Sequence, residues 1–213
     1  PSESSFQVDP AAMNNTVLGT NDQTGIMQIV DTIRQSSVAV VSATLDDHPM
    51  TPGQDGWVTQ LIGHVQIRFQ QLAGAPLTIA NISAFPVDDD NREQLVSALE
   101  SVDALICVMS PAFVRAENCQ RILEDFSRAA EATGGLSVDS LSRILKVVKT
   151  PVAVDEMPVD LRSSIGSLMA CEFFEQDPSQ SAVVEFDERF GPEAHQKYFQ
   201  RVYDMAQQLW SVV

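Results

Sequence analysis

The chain has 213 residues, 44% of them apolar, which is enough for one domain with a full hydrophobic core and excludes wholesale disorder. Thirteen basic residues, scattered singly, stand against 29 acidic ones for a net charge of -16, so the average surface repels nucleic acid and anionic lipid and neither is expected as a partner. Three cysteines and three histidines without metal-ligand spacing argue against a bound metal, and with no long apolar stretch they lead to the expectation of a reducing, cytoplasmic protein off the membrane.

Residues 1–35 read as an N-terminal extension or linker, and the domain is expected over 36–213. The opening is rich in Ser, Asn, Thr and Asp, and only Ile29 and Ile33 suggest a helical turn. Val38-Ala39-Val40-Val41 then suits a buried strand. Pro49, Pro52 and Gly53 force a loop, Asp55 stands where a helix cap is wanted, and Trp57, Leu61, Val65, Phe69 and Leu72 form a helical stripe that Gly74 ends. A second strand fits residues 77–82. Phe85, Pro86 and the run Asp88-Asp89-Asp90 make the next loop, before a helix over 91–100.

The run Ala104–Met109 has no polar residue and suits a central parallel strand covered on both faces. A third helix starts near Glu117, carries Ile122, Leu123, Phe126 and Ala130, and breaks at Gly134-Gly135. Another strand fits residues 144–148. Pro151 and Pro158 mark an irregular connection, residues 168–175 a late strand, and residues 192–213 a last amphipathic helix. Strand and helix alternate with short loops, which predicts an α/β, flavodoxin-like domain: a central parallel sheet flanked by helices on both faces.

Within that rhythm the stretch SPAFVRAENCQRILEDF, Ser110 to Phe126, resembles the segment of Toll/interleukin-1 receptor (TIR) domains written S-P-x-[YF]-x-x-S-x-W-C-x-x-E-L. Other stretches are similar to bacterial TIR proteins in order: Asp46-Asp47, Pro49 and Asp55-Gly56-Trp57-Val58 early, KVVKTPV at 146–152, then Cys171-Glu172-Phe173-Phe174, Glu185-Phe186-Asp187 and Phe190-Gly191-Pro192-Glu193-Ala194. The resemblance covers roughly residues 38–213. It implies the flavodoxin-like TIR fold and one of two activities. Some members cleave NAD at the nicotinamide-ribose bond with a glutamate on the third helix; others only assemble with further TIR domains.

For cleavage a fixed anion must face the positive charge that builds on the ribose as nicotinamide leaves. The matching position here is Ile122, and the motif's tryptophan is Asn118. Glu124 is the alternative acid, although two helical residues turn it by roughly 200° from Ile122. The aromatic that follows the first-strand serine, Ser42, is replaced by Ala43, so Ser42, Ala43 and Ile122 mark a degenerate nucleotide pocket. The expectation is a catalytically inactive TIR-like domain without cofactor that binds other proteins, including its own kind; the alternative is an NAD hydrolase or cyclase, with NAD as substrate and Glu124 as displaced acid.

Two further features bear on partners and chemistry. Phe85 with Asp88, Asp89 and Asp90 forms the candidate interaction loop, provided that Phe85 is exposed. Cys119 lacks an identifiable histidine base and reads as packing. A receiver-like phosphoacceptor domain with Asp46 or Asp47 as acceptor is the weaker reading, because receivers place that aspartate at the end of the third strand, where Ser110 stands.

Overall fold

The computed structural model describes residues 23–177, 182–187 and 190–213, beginning with helix α1 (Gln23–Arg34). Strands β1 (Val38–Val41), β2 (Ile79–Asn81), β3 (Ala104–Met109), β6 (Ile144–Val148) and β7 (Ala170–Glu172) form one sheet in the order β2-β1-β3-β6-β7. Every pairing in it is parallel, with Val38 beside Ile79 and Ala104, Leu105 beside Ile144, and Lys146 beside Ala170. The expected flavodoxin-like α/β architecture is present.

Because side chains alternate along a strand, the apolar runs feed two cores at once. Val38, Val40, Ile106, Val108, Leu145 and Val147 pack beneath α2 (Trp57–Ala73) and α7 (Pro192–Trp210). Ala39, Val41, Leu105, Cys107, Met109 and Ile144 pack on the opposite side with α1, α3 (Arg92–Leu99) and α5 (Glu117–Ala132). Full burial of a large side chain such as Phe126 contributes about 1.5–3 kcal/mol.

Local chemistry explains the helix ends. Gly74 closes α2 in the left-handed conformation at φ 72°, which glycine adopts without steric cost, and its N–H bonds to the Gln70 carbonyl. At the other end the cap comes from outside the helix: Asp47 Oδ1 accepts from the Thr59 N–H at 2.8 Å and Oδ2 from the Thr59 hydroxyl at 2.7 Å. Asp55, the expected cap, gives way to Gly56. A Cβ at Gly56 would run into the Asp47 backbone, so glycine permits the close approach that seats this cap.

Several elements depart from the sequence expectation. Residues 23–34 are not linker: α1 buries Val30 and Ile33 in the core and partly buries Ile26 and Ile29, an i, i+3, i+4, i+7 stripe diluted by polar neighbours. Residues 23–34 therefore pack with the domain expected over 36–213, and residues 1–22 lie outside the described residues. Helix α4 (Pro111–Arg115) precedes α5, with Ser110 as its N-cap and Pro111 in its first turn. A short hairpin, β4 (Ser137–Val138) with β5 (Leu141–Ser142), precedes β6, and α6 (Val159–Ile165) fills the connection after Pro158.

The late strand is split at Phe173. Its first part is β7, and the chain then leaves the sheet as β8 (Phe174–Asp177) to pair antiparallel with β9 (Ala182–Glu185). Fully buried Phe173 anchors the bend: its N–H donates to the Val148 carbonyl at 2.9 Å, and its own carbonyl accepts from Phe186 at 2.7 Å. Among the described residues no helix is long and apolar enough to cross a membrane.

Candidate functional site

Sheet order reverses direction between β1 and β3, and in open α/β sheets ligands bind outside the carboxyl ends of the strands at such a point. Three strand ends deliver polar residues there. A 3-10 turn over Thr44–Asp47 after β1 supplies Asp46, β3 is followed at once by Ser110, and β6 by Lys149 and Thr150. The end of β9 adds Glu185.

These residues form a connected polar chain. Asp46, only 8% exposed, accepts a hydrogen bond through Oδ2 from the Ser110 hydroxyl at 2.6 Å. The Ser110 Oγ in turn accepts from the Phe113 N–H at 3.1 Å, so one hydroxyl caps α4 and orients the acid. Lys149 Nζ lies 3.9 Å from Asp46 Oδ1 and 3.7 Å from Glu185 Oε2, and 5.8 Å from the centre of the Trp57 ring. Thr150 donates to the other Glu185 oxygen. Burial pushes the Asp46 carboxyl above the usual carboxylate range; the Ser110 hydrogen bond and Lys149 pull it back only in part, and Glu185 adds to the rise.

A cleft of about 360 Å³ opens over this chain, with Asp46, Lys149 and Glu185 inside and Leu45, Met50 and Phe190 among its walls. A second recess of about 580 Å³ shares Leu45 and Asp46 and reaches Ala43, Ser110 and Arg115. Among the described residues no group of three or more His, Cys, Asp or Glu side chains is placed to hold a metal ion.

The expected pocket positions fare differently. Ala43, 4% exposed, borders the recess. Ser42 is fully buried, its Oγ 2.9 Å from the Ser83 hydroxyl and its carbonyl accepting from the Cys119 thiol at 3.2 Å. Ile122 is 0% exposed and belongs to the same apolar cluster as Phe85, Val114 and Phe126. Ser42 is thus core and not pocket lining, and Ile122 takes the place in the core that the apolar side of the third helix predicts. Glu124, the displaced-acid candidate, is exposed, lies close enough to Arg92 to act on its charge, and lines neither recess.

Phe85 is likewise corrected. It is 0% exposed and cannot be a contact residue. Asn118, at the motif's tryptophan position, holds its loop down: Nδ2 donates to the Phe85 carbonyl at 2.7 Å and Oδ1 accepts from the Val87 N–H at 2.9 Å. Asp88, Asp89 and Asp90 remain exposed, and the Asp88 carboxylate is used locally, accepting from the N–H groups of Asp90 and Asn91. Cys119 is buried with its thiol pushed up to about 12 by burial first and the nearby Asp46 second, which suits packing and not nucleophilic attack.

In the sequence Ser110 stands out as a motif letter and Asp46 as a motif letter and a weaker phosphoacceptor candidate, while Lys149, Thr150 and Glu185 do not stand out as a site. One signal for Lys149 and Thr150 was available: both directly follow a buried parallel strand, where ligand-facing residues sit. No protein-family model matches this chain, and no curated protein matches it either.

Proposed function

We propose that the chain is a catalytically silent, TIR-like domain that works by protein-protein contact in a bacterial signalling or defence assembly. One observation carries the reading. The position where the resembling enzymes hold their ribose-facing glutamate is Ile122, completely buried in the core on α5, so no carboxylate reaches the crevice from there. Supporting it, Ser110-Pro111 follows β3 directly, and Cys119 sits one turn into α5 against Ser42. Without an anion at that position, NAD cleavage in the manner of the resembling enzymes loses its main electrostatic support.

Incubating purified protein with NAD and following nicotinamide by chromatography tests this. Release no faster than in buffer is expected. Robust turnover would overturn the reading, and the Glu124→Gln variant would then show whether an acid outside the crevice carries the reaction.

A further inference from the structure

We propose that the cleft over Asp46 and Glu185 is a docking pocket for an arginine side chain on an exposed segment of a partner protein. The inference rests on the protein-contact reading and names the partner's chemistry. Asp46, Asp55 and Glu185 bring carboxylates to the cleft, where the basic side chains are Lys149 and His48. Lys149 sits there as an internal cation held loosely: at 3.9 and 3.7 Å it is beyond hydrogen-bond distance of both Asp46 Oδ1 and Glu185 Oε2. Among the described residues no side-chain donor is within hydrogen-bond distance of those two oxygens, since Ser110 and Thr150 use the other oxygen of each carboxylate.

The separation that defeats an ammonium suits a guanidinium. A compact point charge midway between two carboxylates reaches neither, whereas a planar fork of five N–H donors spans both. Lys149 marks where the positive charge belongs and makes no hydrogen bond to Asp46 or Glu185. The rim completes the description: Leu45, Met50 and Phe190 are 68, 79 and 60% exposed and all border the same cleft. Grouped apolar side chains around a charged floor match the methylene stem and apolar neighbours of an inserted arginine. A net charge of -16 draws a basic segment toward the domain from a distance.

The test uses fluorescence anisotropy with a fluorescein-labelled, end-capped Gly-Leu-Arg-Leu-Gly peptide and its counterpart with uncharged, isosteric citrulline. The arginine peptide should bind at least about tenfold tighter than the citrulline one. Asp46→Asn and Glu185→Gln should each remove most of that preference, and Lys149→Met should tighten the arginine peptide severalfold by vacating the place that it takes. Equal binding of the two peptides overturns the proposal, as does weakening by Lys149→Met, which would show a lysine that supports the ligand and does not compete with it. Circular dichroism on each variant separates loss of fold from loss of site. Absence of peptide binding in a protein silent toward NAD removes this pocket and leaves the assembly reading intact; NAD turnover removes that reading whatever the peptide does.

Discussion

Replacing Ile122 by glutamate supplies the residue that the motif lacks, at a position whose surroundings cannot solvate it. The isoleucine side chain has 0% exposure, so its burial contributes about 1.5–3 kcal/mol, part of which the glutamate methylenes retain. A carboxyl forced into that site is neutralised before it is buried. From a solution value of about 4.3, protonation at pH 7 costs about 3.7 kcal/mol, and at pH 5 about 1 kcal/mol. An unpartnered polar group adds about 1–3 kcal/mol at either pH. The total at pH 7 is about 6–8 kcal/mol, as large as the whole stability of many domains. The sign of the pH effect is fixed: the folded variant binds the proton more tightly than the unfolded chain, so its stability falls as pH rises above about 4.3. Urea unfolding monitored by circular dichroism should find Ile122→Glu largely unfolded at pH 7 and recovering by about 2.7 kcal/mol at pH 5, with Ile122→Gln showing no such slope. An Ile122→Glu protein within about 1 kcal/mol of wild type at pH 7 would refute the buried placement, and with it the main support for a silent domain.

Groups away from position 122 give two more expected outcomes. Arg143, 6% exposed, donates to the carbonyls of Val102 at 2.6 Å, Asp103 at 2.8 Å and Gly135 at 3.1 Å and so ties β3, β6 and the end of α5; Arg143→Met should cost about 3–5 kcal/mol in urea unfolding, and Arg143→Lys should recover little because an ammonium cannot reach all three. Asp46 holds its proton more tightly folded than unfolded, so its contribution to stability falls as pH rises from the unfolded value toward the raised folded one; the stability of Asp46→Asn relative to wild type should therefore increase from pH 4 to pH 7, and a change in the opposite direction would rule out burial as the dominant influence on Asp46.

Legibility in the sequence tracked the range of the interactions. Val38–Val41, Ala104–Met109 and Ile144–Val148 announce themselves as apolar runs because central parallel strands are covered on both faces, and the Leu61, Val65, Phe69 stripe marks α2 for the same local reason. Helix α4 is five residues long and α6 seven, too short for periodicity to register. Phe85 beside Pro86 gives no sign of its own burial, since the residue that draws its loop inward, Asn118, is 33 positions away. The polar chain at the strand ends joins positions 46, 110, 149 and 185, and only the sheet order makes them neighbours.

Asn118 and Ile122, the two positions that depart from the resembling motif, are both tied to their surroundings. Asn118 makes two hydrogen bonds to the loop after β2, and an indole, with one donor and no acceptor, could not reproduce both. Ile122 fills core volume that a carboxylate could occupy only by neutralising. Each replacement is therefore stabilised by neighbours that would also have to change before a ribose-facing acid could be accommodated. Placing such an acid on α5 requires reshaping the contact between α5 and the 85–87 loop as well as exchanging one side chain. The ionisable groups at the strand ends lie instead on the Lys149 and Glu185 side of the sheet, where Asp46 is held by Ser110 and the exposed apolar rim faces outward. A partner recognised there would leave the core around Ile122 undisturbed.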